Sequence, residues 1–497
     1  MKRTGKLTLS VIVCALFVMA AFAPTALVLS TSATAEAAES NTLVVYNWAD
    51  YIAEELIAEF EEEYGITVTY STFETNETML TIVEQGNEQI DLICPSEYAI
   101  QRLMQGGYLQ KIDASKLSTY SNVDQRIYDK VNSVFTGISV PGVGNSESMS
   151  DYFVPYMWGT LGILYNTDVV TEADIAEGYG ILWNKAENEA LDGKILMKDS
   201  VRDSYVAAVL YMKECGTLPE GKYADLSIQE LINTIDDTLI EAAENVFVEQ
   251  KERGGGFEVD EGKNDMINGD AYVSLQWSGD ALYTMEQADD LDYFVPEIGG
   301  NIWFDGWVIP KNAPNYENAL KFIDFLNRPE VAMANAMYIG YTSAVSPEVL
   351  QNSQAAMNVL VENEYEAAEY FGDLNRYPVI DDAKYGVMKD FGEYNDDAIA
   401  MWERVKKPDL MWILWVVIAV VAAAAIGVGI YFIVRKKGSV RKVVKATPSG
   451  SAALYADKAG NDSDDDSDDD SDDDEEEAED GADSETENKK EDAKEDK

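Results

Sequence analysis

The central part of this chain reads as an α/β fold, a parallel sheet covered by helices. Three observations predict it. Short apolar or β-branched runs alternate with helically spaced segments three times within one stretch. A hydrophobic content of 46% over 497 residues supplies real cores, at about one domain per ~150 residues. Two longer apolar blocks lie outside this alternation, near either end, and belong to export and to a membrane rather than to the fold.

Residues 43–46 (LVVY) form the first predicted strand, and 52–64 (IAEELIAEFEEEY) carry helical spacing. Residues 65–70 (GITVTY) read as the second strand. A helix follows through Gln85, with Thr75 or Asn76 as its cap. Residues 91–95 (DLICP) give a third buried strand, followed by a helix from Tyr98 to about Gln105. In such sheets ligands sit beyond the carboxyl ends of the strands. The residues there are aromatic and polar: Asn47 to Tyr51, Thr72 to Glu74, and Ser96 to Tyr98. No glycine-rich phosphate loop occurs at these turns, which disfavours a nucleotide fold. Further on, 195–205 (ILMKDSVRDSY) and 271–283 (AYVSLQWSGDALY) repeat strand, turn and helix, and 301–310 (NIWFDGWVIP) is strand-like.

Charge and composition exclude much. Lys and Arg total 37 against 91 Asp and Glu, with no histidine, for a net charge of −54. So negative a chain repels phosphate, so nucleic acid is not an expected partner. The absence of histidine removes Ser-His-Asp and Cys-His nucleophile systems and every histidine-containing zinc site. Three cysteines, Cys14, Cys94 and Cys215, cannot build a disulfide framework or a four-cysteine zinc site. No nucleophile–base pair is apparent; no enzyme activity, metal or cofactor is expected.

Lys2, Arg3 and Lys6 precede the apolar run LTLSVIVCALFVMAAFA, and the small-residue stretch TSATAEAAES follows. That order is a secretory signal over residues 1–37, cleaved after Ala35 or Ala37. Residues 410–434 form an uncharged apolar block that reaches ~37 Å as a helix, enough to span a ~30 Å hydrocarbon core. Trp412 and Trp415 stand at its outer end; Arg435, Lys436, Lys437, Arg441, Lys442 and Lys445 follow it. The expected topology is a single-pass cell-membrane protein with its folded part extracellular or periplasmic and residues 435–497 cytoplasmic. The repeat SDDDSDDDSDDDEEE marks an acidic, disordered tail with nothing apolar to bury.

At several separate strand ends a Trp or Tyr stands within three residues of an acid: Trp48 with Asp50, Trp277 with Asp280, Trp303 with Asp305. One aromatic alone is ordinary core, and one aspartate alone is an ordinary helix cap. Recurrence is what points to a ligand. Clustered rings and carboxylates suit an organic cation, through cation–π contacts and charge-assisted hydrogen bonds.

The segments YNWADY (46–51), YSTFETNETM (70–79), DLICPSEY (91–98), VPYMWGTLGILYN (154–166), WSGDA (277–281), GGNIWFDGWVIPKNA (299–313) and ALKFIDFLNRPEVA (319–332) closely resemble the spermidine/putrescine-binding proteins of polyamine ABC importers. The resemblance runs from about Asn41 to Lys407. It implies a two-lobed type II periplasmic-binding-protein fold with a hinge, lobe 1 being 41–152 and 305–350, lobe 2 being 153–304 and 351–407. It implies crossings near Tyr152, Asp305 and Leu350, and a cleft that closes on one polyamine. Carried over by position, Trp48 and Tyr51 form aromatic walls, and Ser96 and Tyr98 give polar contacts. Asp203 takes an ammonium; Trp277, Trp303 and Tyr341 sandwich the methylenes; Asp305 is the central carboxylate. Asp280 with Asp50 resembles the putrescine-type members, whereas Ala49 and Ser200 depart from the family pattern.

The expected function is therefore a membrane-anchored, monomeric substrate-binding component that serves importer permease subunits. A binding protein for another cationic or sugar-like solute, or a ligand sensor, is the alternative.

Overall fold

The computed structural model describes residues 40–407 and a helix, Met411–Val443. The signal segment and the acidic tail read from the sequence lie outside the described residues. The chain divides into two compact units at residue 408, and each is taken by itself.

The first unit is built on one 12-stranded sheet. Its first strands are β1 (Thr42–Trp48), β2 (Thr67–Phe73), β3 (Leu92–Ile93) and β4 (Leu109–Gln110). A separate hairpin pairs β5 (Ile138–Val140) with β6 (Gly144–Glu147). Then come the long β7 (Phe153–Asn166), β8 (Ile195–Lys198), β9 (Gly256–Glu258), β10 (Val273–Trp277), β11 (Leu291–Phe294), the long β12 (Gly300–Pro310), β13 (Thr342–Ser343) and β14 (Tyr385–Gly386). The main path runs β2-β1-β3-β12-β7-β10-β8-β9.

The parallel pairs expected from the βα units are present: β1 lies parallel to β2 and β3, as β8 does to β9 and β10. Antiparallel β7 and β12 join these two parallel sets into a mixed sheet. The C-terminal end of β12 pairs with β3 and β4. The C-terminal end of β7 pairs with β10 and β11. All fourteen residues of β7 are buried, as a strand covered on both faces requires. Pro155 sits in this central strand without a donor because the register slips there: Asp305 faces Met157 and Gly306 faces Pro155, leaving Tyr156 as the extra residue. The slip falls at one of the expected crossings.

Leu350 lies at another of the expected crossings. It belongs to a separate cluster with Ala332, Met333, Ala356, Leu360 and Tyr370, in which helix Gln354–Glu362 packs on helix Pro329–Ile339. Farther along, β14 pairs with β12.

Helix Asn76–Gln85 is capped by the Thr75 hydroxyl, which accepts from the Thr78 amide. Helix Val201–Cys215 is capped by Ser200 in the same way. In the second unit Trp415–Ile433 is long and apolar enough to cross a membrane.

Candidate functional site

The carboxyl ends of β1, β2, β3, β8 and β10 open on one cavity, with an empty volume of about 690 Å³ including its mouth. Its lining includes Trp48, Glu77, Ser96, Tyr98, Lys198, Asp203, Trp277, Trp303, Asp305 and Tyr341. A ligand beyond the strand ends is what such sheets favour.

One wall is built around Asp305. Asp305 lies beside the register slip, paired with Met157 on one side and bridged to Ser96 on the other, and the residue is 7% exposed. The Tyr51 hydroxyl donates to Oδ2 at 2.8 Å, while Oδ1 has no hydrogen-bond partner among the described residues. Burial pushes the Asp305 carboxyl up to about 7; Ser96 and Tyr51 offset this only in part, and Asp203 adds to it. Beneath it, Glu97 accepts from the Phe304 amide at 2.9 Å, and burial raises its carboxyl to about 8. Asn76 donates to the Ser96 and Tyr98 hydroxyls, both at 3.0 Å, and the Tyr98 hydroxyl donates to Glu77 at 3.1 Å. Burial raises Glu77 as well.

The rings complete the enclosure. Tyr341 packs edge-on to Tyr51 at 5.1 Å and lies 5.7 Å from Trp303. Two glycines make room for them. A Cβ on Gly279 would lie 2.3 Å from the Tyr341 ring, and one on Gly159 would lie 2.7 Å from Trp303. The indole nitrogens of Trp48 and Trp303 have no partner among the described residues.

The opposite wall is charged differently. Trp277 Nε1 donates to Asp203 Oδ1 at 3.3 Å, and burial raises the Asp203 carboxyl against the smaller pull of Ser200, Trp277, Lys198 and Arg202. Arg202 is buried, its guanidinium 3.5 Å from the centre of the Phe391 ring. Lys198 lies fully buried between Glu258 (3.2 Å) and Asp280 (3.7 Å), and Lys263 reaches Asp280 at 3.3 Å.

Slot-shaped walls of rings and buried carboxyls, with no nucleophile–base pair, fit capture of a solute rather than its transformation. A family model for bacterial extracellular solute-binding proteins matches residues 55–363. The chain belongs to this family. This solute-binding protein is 34% identical over 332 residues to the spermidine/putrescine-binding periplasmic protein of Escherichia coli (strain K12), across 65% of this chain and 85% of that one. It is 28% identical to a putrescine-binding periplasmic protein of the same organism, across 64% and 83%. Among solved structures it resembles a putative spermidine/putrescine ABC transporter protein from Listeria monocytogenes, with TM-score 0.60, 30% identity and coverage of 74% and 99%.

Of the residues singled out from the sequence of this solute-binding protein, Trp48, Tyr51, Ser96, Tyr98, Asp203, Trp277, Trp303, Asp305 and Tyr341 meet in the cavity. Asp50 does not; it is exposed, on a turn with φ of 50°. Asp280 is buried behind the lining and held by two lysines. The sequence reading passed over Glu77, Asn76 and Lys198, which do line it. Glu77 was legible in principle, since the first turn of a helix capped just after a strand faces the same strand ends. Lys198 was not: a lysine closing a strand is ordinarily solvated.

Proposed function

We propose that this protein is the extracellular, membrane-anchored binding component of an ABC importer, and that its cavity takes a polyamine. The observation that carries the reading is Asp305: a buried carboxylate with one free oxygen, steadied by a neutral tyrosine and enclosed by Trp303, Tyr51 and Tyr341. In the empty site the carboxyl lacks a cation, and burial holds it against ionisation. An alkylammonium supplies the missing positive charge, and its methylene chain has rings to lie against. The named ligands of the relatives, spermidine and putrescine, have this chemistry.

In this reading the two strand sets are two lobes that meet at β7 and β12. Closure about the bulge at Asp305 brings Trp48, Tyr51, Ser96 and Tyr98 against Asp203 and Trp277. Desolvation on closure strengthens each ion pair. The helix at 410–434 anchors the lobes outside the cell, with 435–497 in the cytoplasm, so that captured ligand stays near the permease. Native mass spectrometry of the purified chain tests the ligand: a co-purifying or added polyamine is the expected adduct, and binding of a sugar but no polyamine overturns the reading. Protease added to intact cells tests the topology. Loss of the lobes with a protected tail is expected, and digestion of the tail from outside refutes it.

A further inference from the structure

The wall opposite Asp305 holds a cation of its own. We propose that the Lys198 ammonium occupies the ring face and carboxylates where a longer polyamine's additional ammonium would lie, making the cavity selective for a diamine over a triamine. The proposal deepens the polyamine reading and rests on it.

The geometry begins in the strand. All four residues of β8 are buried, and Lys198, its last residue, lines the cavity with no exposed side-chain surface. A buried lysine must be paired. Its parallel register partner on β9 is Glu258, whose carboxylate lies 3.2 Å from Nζ. Asp280 approaches to 3.7 Å, and the Val259 carbonyl accepts from the same ammonium. Gln276 in turn donates to Glu258 at 3.2 Å, so the acid is fixed from a third strand. These contacts pin the ammonium 4.3 Å from the centre of the Trp277 ring. A ring face with flanking carboxylates is what an alkylammonium ligand seeks. Here the protein fills that place from within.

The ligand is left with the other acids. Asp305 keeps a free oxygen, and Asp203 and Glu77 line the cavity without a directly bonded cation among the described residues. A diamine places one ammonium on Asp305 and one on Asp203, while Glu77 keeps its bond from the Tyr98 hydroxyl. A third ammonium, placed towards Trp277, would face Lys198 in a medium that screens poorly, and like charges there exclude the longer ligand.

Calorimetry with putrescine and spermidine tests this on the full chain, its Lys198→Met variant, and the double variant Lys198→Met/Glu258→Gln. The double variant removes both charges of the pair and keeps the test open if the single one fails to fold. The wild type should favour putrescine by about tenfold or more, and removing the ammonium should cut that preference about tenfold by a gain in spermidine affinity. A wild-type preference for spermidine overturns the proposal without needing any variant. So does a folded variant whose preference stays within about threefold of wild type. Binding of neither amine by the wild type refutes the polyamine reading itself, a different failure from an unchanged ratio.

Discussion

Asp305 and Asp280 begin alike. Each follows a tryptophan by two or three residues, Asp305 inside β12 and Asp280 in the helix after β10, and each is buried, at 7% and 4% exposure. Their surroundings then diverge. Each keeps one oxygen without a hydrogen bond among the described residues, but Asp305 meets only the neutral Tyr51 donor, whereas Asp280 lies between Lys198 and Lys263. In the proposed reading, an acid beside an aromatic ring serves the ligand only where the protein supplies no cation of its own. Five experiments break or sharpen this contrast.

The largest effect belongs to Asp305→Asn. An amide still accepts from Tyr51 but cannot neutralise an ammonium. Polyamine affinity should fall by ~2–5 kcal/mol, roughly 30- to 4,000-fold by calorimetry, with the empty protein melting no lower than wild type. Binding within about threefold of wild type would remove Asp305 from the site.

Gly279→Ala attacks the enclosure and leaves both acids in place. The new methyl would press on the Tyr341 ring at 2.3 Å, an overpacking cost of ~1–3 kcal/mol. Affinity should drop about tenfold, and unchanged binding would mean that Tyr341 need not hold its place.

Acidity separates the walls through Asp305, whose carboxyl stands at about 7 in the empty protein. Cation binding needs the ionised form, so affinity should rise about tenfold from pH 6 to pH 8, with proton release detectable from buffer-dependent binding heats. The Asp305→Asn variant should lose this slope. Stability moves the other way. The folded empty protein holds protons on Asp305 and Glu97 that the unfolded chain gives up near pH 4. That stabilisation is complete at or below the unfolded values and is lost as pH rises through about 7 and about 8. Thermal melts should therefore fall across that window, and a rising trend would contradict the burial of both acids.

Asp280→Asn should reverse the pattern of Asp305→Asn. Lys198 and Lys263 lose a shared partner, so the melting point falls by the equivalent of ~1–3 kcal/mol while putrescine affinity stays within about threefold. A large affinity loss without destabilisation would restore Asp280 to the ligand. Asp50→Asn should do least. Asparagine tolerates the left-handed backbone at φ 50°, and the exposed side chain lies off the cavity, so binding should change less than about twofold in the same titrations.

Much of the site was legible because it obeys local rules. The periodicity of 43–105 gave three βα units, and parallel pairing then fixed where their carboxyl ends point. Trp48, Ser96 and Tyr98 follow from that geometry, and Trp277 from the similar strand, turn and helix at 271–283. Glu77 could have been read from its place in the first turn of a capped helix after β2, and its bond from Tyr98 shows it facing the cavity.

The sequence by itself determined one stretch long and apolar enough to cross a membrane, the α/β alternation, the family, and the pairs of rings and acids close together along the chain. These depend on composition, period and order along the chain, which need no third dimension. Only the tertiary structure decided which acids are free. Whether Asp305 or Asp280 carries an unbalanced charge depends on a bulge in β7 and on a lysine brought beside Asp280 from 82 residues away. Coulomb energy follows distance and burial rather than position in the chain.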